Sequence, residues 1–434
     1  MTDNTLDRLM AGRFDDPDGG PALDPLTAAV TIDHSLAGRE AELVAGLGLG
    51  DRLAVVCDGN TQRVLGARVA AALASIAKIS EVILPGEPHA DGETVAALRR
   101  ETAACDALIA VGSGSINDIC KYAAAQDNKP YAVFATAPSM NGYCSVNAAI
   151  TIDGHKKSIQ AAAAAGVFMD LEVLAAAPPR MIRSGLGDSV CRATAQADWL
   201  LAHMLRDDPY REAPFALLAE DEAALFAGSA ALMEGDLDVM GRLARVLTLS
   251  GFGMTIAEGS QPASQGEHLI GHYAEMRMNP AWPPCFHGEQ IGIATLTMAR
   301  LQERMLADGP PRLAATVATE ASVIDHFGPE LGAACWAEFK LKRLDEAMAE
   351  KLNARIDERW DAIAARISAI HLPPALLDDV LARAGAPRTP QDLGWPVEFY
   401  DGAVRHAREI RNRFTFLDLA SDSGLDLAAD SGFA

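Results

Sequence analysis

Along the first 177 positions, short apolar runs that end in turn residues alternate with amphipathic stretches. This is the pattern of strand–helix–strand units in a parallel sheet. Arg52–Cys57 is one such run. It stops at Asp58-Gly59-Asn60-Thr61, and Thr61 is expected to cap an amphipathic helix over Gln62–Ile76. Glu81–Leu84 stops at Pro85-Gly86. Asp106–Val111 runs into Gly112-Ser113-Gly114-Ser115 and then into the helical period Ile116–Ala125. Tyr131–Phe134 reads as a fourth strand, closed by Thr136-Ala137-Pro138-Ser139.

From Pro178 onward the texture becomes Ala/Leu-rich with helical periods. This predicts an α/β domain over 1–177 and an all-helical domain over 178–434. The segment Ala333–Leu372 contains no Gly or Pro. Trp336, Phe339, Leu344, Met348, Leu352, Ile356, Trp360, Ile363 and Ile367 recur through it at helical spacing, so one long helix packed inside a bundle is expected, with a coiled-coil partner as the alternative. The Ala161–Ala165 run is too short to mean more than helix propensity or tight packing.

The whole-chain numbers narrow the function classes. With 434 residues the chain has room for about three domains by length alone. Its formal charge of −22 repels phosphate backbones and anionic headgroups, which argues against nucleic-acid and membrane-surface partners. No apolar stretch reaches the roughly 18 residues of a membrane span, and Met1-Thr2-Asp3-Asn4 opens no secretory signal, so the cytoplasm is the expected compartment. Seven scattered cysteines without a C-x-x-C pair fit reduced, structural thiols.

Against that background a few residues stand out for chemistry. Gly112-x-Gly114 between a strand and a helix lets backbone approach a phosphate and points free N–H groups at it, although the third glycine of the dinucleotide fingerprint is missing. Asp58, at the end of an earlier strand, can accept hydrogen bonds from a ribose and repel a 2′-phosphate; an ordinary turn or cap residue is its plain alternative. Asp188 follows Gly185-Leu186-Gly187 where a helical pattern begins, which by itself reads as an N-cap. His268 and His272 are four apart and share a helix face, and His287 follows a loop carrying Pro280, Pro283 and Pro284. One Asp and two of these His could surround a divalent metal and leave an open position.

Together these segments resemble the sn-glycerol-1-phosphate dehydrogenases, within the iron-containing alcohol dehydrogenase and dehydroquinate synthase superfamily. The likeness runs from Val55–Thr61 through Gly112–Asp118, Thr136–Tyr143, Gly185–Asp188, Gly266–His272 and His287–Gln290 to Ile410–Ala420. It implies an N-terminal α/β nucleotide-binding domain, an all-α C-terminal domain, and an active site in the cleft between them. The implied metal ligands are Asp188, His268 and His287, with zinc, iron or nickel as the ion. The implied cofactor, NAD(H) with NADP(H) as the alternative, touches Asp58, Gly114, Ser115, Ile116, Asn117, Asp118, Thr136, Ala137, Pro138, Ser139 and Ser145. The implied substrate contacts are Asn141, Asp188 and His272, with Asp188 and His272 catalytic. One departure concerns the substrate: the family pattern has Asp after Pro-Ser-Met, and this chain has Asn141.

The expected reaction is reduction of dihydroxyacetone phosphate, with the metal as Lewis acid on the carbonyl and the nicotinamide as hydride donor. His272 is expected to position substrate or relay a proton. Lys156-Lys157 is a candidate for attracting the phosphate, a solvated surface pair being the plainer reading. The alternatives are another polyol or phosphorylated-ketone dehydrogenase, a dehydroquinate-synthase-like lyase with no net redox change, and a binding protein without turnover. The expected partners are a small phosphorylated ketone or polyol and further copies of the chain.

Overall fold

The computed structural model describes residues 3–427 other than 24, 153 and 154, and of His155 and Lys156 only the backbone. Its strands are β1 (Ala29–Asp33), β2 (Arg52–Asp58), β3 (Lys78–Leu84), β4 (Ala107–Gly112), β5 (Tyr131–Ala135), β6 (Asn147–Ile152), β7 (His155–Gln160) and β8 (Gly166–Asp170). Six of them form a parallel sheet in the order β1-β8-β5-β4-β2-β3, and β6 and β7 pair as an antiparallel hairpin.

Every residue of β4, β5 and β8 is buried, as expected of parallel strands covered on both faces, and this burial is what writes continuous apolar runs into the sequence. The edge strands β1 and β3 are partly solvated and read less clearly. From β2 the chain goes outward to β3 and then returns past β2 to β4. The connections therefore change direction between β2 and β4, where sheets of this kind bind ligands at the carboxyl ends of their strands.

Several local expectations are corrected. The cap after β2 is Asp58 rather than Thr61: Asp58 Oδ1 accepts from the N–H groups of Asn60 and Thr61 at 2.8 Å each, and Thr61 Oγ1 accepts from Asp58 N–H at 3.0 Å. The helix expected over 62–76 opens as a π turn, Gln62–Gly66, and continues as Ala67–Leu73. Ala333–Leu372 is two helices, Pro329–Phe339 and Glu346–Ser368. Between them Lys342 turns inward to Asp418, Arg343 bonds the Thr316 carbonyl, and Asp345 caps the second helix. Asp188 lies in the last turn of helix Pro179–Ser189 and not at an N-cap, because that helix starts at a proline nine positions upstream.

The chain folds into two compact units, Met1–Ser189 with Glu212–Gly259, and Val190–Arg211 with Ser260–Ala434. A single division near Pro178 differs from this. Helix Leu237–Ile256, which the sequence placed among the second-domain helices, packs on β1 and on helix Pro179–Ser189 in the sheet-containing unit. The other unit is helical. Its apolar core takes Leu352, Ile356, Trp360, Ile363 and Ile367 from helix Glu346–Ser368, so that stripe is spent inside the unit.

Candidate active site

In the sheet-containing unit, three neighbouring strands end side by side at Asp58 (β2), Gly112 (β4) and Ala135 (β5). Thr136 follows β5, and its N–H donates to the Gly112 carbonyl at 3.1 Å. Ser113, in extended conformation, precedes helix Gly114–Gln126 without a side-chain cap, so the helix presents its first N–H groups to any anion placed there. A Cβ on Gly112 would lie 2.5 Å from that of Ile116, so only glycine lets the chain turn this tightly. Asn117 is buried, and its side-chain oxygen has no hydrogen-bond partner among the described residues. An uncapped helix start, a glycine turn and an orphaned acceptor fit a dinucleotide. Asp58 spends Oδ1 on its cap, whereas Oδ2 carries none of the described hydrogen bonds.

The loop Thr136–Ser145 is held from several sides. Buried Lys121 donates to the carbonyls of Gly142 and Asn147 at 2.7 and 3.0 Å, Tyr143 donates to the Ala137 carbonyl, and Ser184 donates to the Ser139 carbonyl. Helix Pro179–Ser189 touches this loop so closely that a Cβ on Gly185 would fall 1.6 Å from the Pro138 oxygen. That contact brings Asp188 and Asn141 together, and the Asn141 N–H donates to Asp188 Oδ2 at 2.9 Å. Asp188 is buried. The Asn141 side chain is partly exposed and makes none of the described hydrogen bonds.

In the helical unit, His268 and His272 sit on helix Gly266–Arg277, and His287 is the first residue of helix His287–Ala307. Their ring centroids are 5.1 Å (His268–His287), 5.7 Å (His272–His287) and 5.9 Å (His268–His272) apart, so the structure gathers the three histidines that the sequence singled out. Each Nδ1 has a different neighbour. His268 Nδ1 is 3.0 Å from Glu267 Oε1, His287 Nδ1 is 3.0 Å from Glu275 Oε1, and His272 Nδ1 is 3.1 Å from Arg411 Nη2.

These partners assign the tautomers. A carboxylate accepts, so His268 and His287 carry the proton on Nδ1 and keep the Nε2 lone pair, which is the form that binds a metal. A guanidinium only donates, so the His272 Nδ1 must accept and its proton sits on Nε2. Burial, and after it the Arg411 guanidinium, hold His272 well below the usual imidazole range, so it is neutral at physiological pH. Two other groupings of ligand-type atoms fall within 4.8 Å in this unit, Cys191–Glu267–His268 and His272–Glu275–His287. The first is spent, because the Glu267 oxygens already accept from Gln265 N–H, Thr194 Oγ and the His268 ring. The second needs His272 in the tautomer that Arg411 opposes.

A second layer supports the histidine helix. Buried Asp198 accepts from Gly266 N–H and Phe416 N–H, both at 2.9 Å. Burial, and then neighbouring Glu267, push its carboxyl up to about 8. Glu267, Glu275 and Arg411 were missed from sequence. Glu275 lies seven residues after His268, on the same helix face, and that spacing could have revealed it. Of the phosphate candidates, Lys157 is exposed on β7 in the sheet-containing unit, and the side chain of Lys156 lies outside the described residues.

Comparison with known proteins points one way. Residues 31–178 match the family of iron-containing alcohol dehydrogenases. The chain is 30% identical over 384 residues to a glycerol-1-phosphate dehydrogenase (NAD(P)+) of Bacillus velezensis, covering 85% of each chain. To one from Geobacillus stearothermophilus it is 29% identical over 400 residues, covering 89% of this chain and 92% of the other. In fold it is similar to the crystal structure of glycerol dehydrogenase from Schizosaccharomyces pombe, with a TM-score of 0.63 at 16% identity over 96% of this chain and 93% of that one.

Proposed function

The chain belongs to the glycerol-1-phosphate dehydrogenase family, among the iron-containing alcohol dehydrogenases, and we propose that it interconverts dihydroxyacetone phosphate and sn-glycerol 1-phosphate with NAD(H) and one divalent metal. The observation that carries this reading is the Nδ1 pattern, with carboxylates behind His268 and His287 and a guanidinium behind His272. It sorts three clustered imidazoles into two ligands and one hydrogen-bond donor. Asp188 completes the ligand set as an anionic oxygen, and two imidazole nitrogens with one carboxylate suit zinc, iron or nickel. When bound, the metal supplies Lewis acidity toward a carbonyl and the nicotinamide supplies or accepts hydride.

The residues of this chain do the rest. His272 holds its proton at Nε2 and offers it as a hydrogen bond to a substrate oxygen, and because it stays neutral over the working pH range it orients that oxygen without competing for its charge. Asp188 is fixed by the Asn141 N–H, so the loop that carries Asn141 sets the ligand's direction. The Asn141 side chain offers an amide to a substrate hydroxyl where the family pattern has a carboxylate, and this spares an anionic substrate one like charge. Gly114, Ser115, Ile116, Asn117 and Asp118 receive the pyrophosphate side of the cofactor. Thr136, Ala137, Pro138, Ser139 and Ser145 line its path, and Asp58 takes the ribose hydroxyls.

Metal-loaded protein is mixed with NADH and a panel of phosphorylated and free ketones, and the product is analysed for its enantiomer. Stoichiometric NADH oxidation with dihydroxyacetone phosphate and formation of the sn-1 product are expected. No net NADH change with any ketone of the panel would overturn the reading.

A further inference from the structure

Arg411 follows the short turn Ala407–Ile410 in extended conformation (φ −150°, ψ 156°) and leads to Arg413. Arg413 is a structural anchor. Its guanidinium donates to the Ser264 carbonyl and, at 2.6 Å, to Ser260 Oγ, which ties this segment to the loop before the histidine helix. Arg411 differs. Among the described residues its side chain makes one hydrogen bond, the donation to His272, and no ion pair. Its remaining N–H groups have no acceptor among the described residues.

That is costly, because a guanidinium closely surrounded by protein loses hydration that only an acceptor restores. Burial pulls Arg411 below its usual value for the same reason, while Glu275 and Glu338 act on it through space without pairing. Yet the residue is not sealed, since both Arg411 and His272 keep part of their surface accessible. In a chain of net charge −22, an arginine held to His272 and without an ion pair among the described residues can receive an anion that arrives from solution. The planar fork of arginine matches the oxygens of a phosphate monoester in two-point contact.

We propose that Arg411 is the specificity-determining cation of this site, binding the phosphate of a small phosphorylated ketone through the N–H groups that His272 leaves unused. The assignment rests on the oxidoreductase reading above and supplies what that reading lacks, a cation for the non-reacting end of the substrate. It also displaces Lys156-Lys157 from that role. One guanidinium then does two things: it fixes the His272 tautomer on one edge and receives the phosphate on the other, which keeps the substrate's two ends in register.

Arg411→Met and Arg411→Lys are compared with wild type in the metal-loaded enzyme, after metal content and near-UV circular dichroism confirm intact folds. Inorganic phosphate binding is measured by calorimetry, and kcat and KM are measured for dihydroxyacetone phosphate and for dihydroxyacetone. Arg411→Met is expected to weaken phosphate binding by at least about tenfold. It should lower kcat/KM for the phosphorylated ketone by about a hundredfold, mainly through KM; the free ketone should lose only what the released His272 tautomer costs, read in kcat, so that its loss is smaller by at least about tenfold. Arg411→Lys should restore much of the phosphate binding and less of the turnover, since a point charge replaces the fork. If Arg411→Met binds phosphate like wild type, or if wild type does not bind phosphate, the proposal is overturned. If phosphate binding depends on Arg411 but no phosphorylated ketone is reduced, the oxidoreductase reading fails and the anion site stands.

Discussion

Of three imidazoles with centroids no more than 5.9 Å apart, the location of one proton on each ring decides which can hold a metal. His268→Ala and His287→Ala are therefore expected to retain less than about a tenth of the wild-type metal, and His272→Ala to retain all of it while losing activity. Plasma emission spectrometry on the purified variants checks this, and a metal-free His272→Ala protein would refute the tautomer assignment. Asp58 allows a similar separation, because its two oxygens have different duties. Wild type is expected to prefer NADH over NADPH by at least about tenfold in kcat/KM. Asp58→Asn preserves the cap, so stability should move by less than about 0.5 kcal/mol while the preference shrinks toward parity. An unchanged preference in that variant would remove Asp58 from the ribose. The spacing of His268, His272 and His287 among glycines and prolines made them legible as a cluster, whereas Asp188 read locally as an N-cap and became a candidate ligand through the family resemblance. Arg411 was hidden because it meets His272 across 139 positions, a pairing no local pattern records.

Strands β2, β4 and β5 could be read directly, since burial on both faces leaves uninterrupted apolar runs, whereas of the solvated edge strand β3 only Glu81–Leu84 was legible. β1 escaped because it is a partly solvated edge, and β8 because its apolar run is only Val167–Met169, set between Gly166 and Asp170. The break between Pro329–Phe339 and Glu346–Ser368 was invisible for a different reason: no glycine or proline marks it, and it depends on Lys342 reaching Asp418. Helix Glu320–Phe327 carries a further consequence. His326 stacks on His406 with centroids 3.6 Å apart and pairs with the Tyr273 hydroxyl at 2.9 Å. Burial, and then His406, lower it from 6.5 to about 4. The unfolded chain therefore binds more protons than the folded one between those values, so stability rises with pH across the window and is lost as pH falls from 6.5 toward 4. His326→Phe is expected to flatten this acid limb by on the order of 1 to 2 kcal/mol, allowing for partial exposure. Melting temperatures taken from pH 7 to pH 4 test it, and an unaltered slope would count against the shift.

The helix from Leu237 to Ile256 belongs with the sheet although the chain between Val190 and Arg211 belongs elsewhere. This interleaving constrains the order in which the molecule can be made. The last strand of the sheet ends at Asp170, but the helix that covers β1 is not complete until Ile256. At translation rates of about 5 to 20 residues per second, a ribosome holds the finished sheet for on the order of five to twenty seconds before that cover emerges. During this interval Val190–Arg211 waits for the rest of its own unit, which is synthesised later still. A newly made chain therefore shows apolar surface to the cell for longer than a protein whose units follow one another along the sequence, and its yield in vivo depends on what shields that surface while synthesis continues.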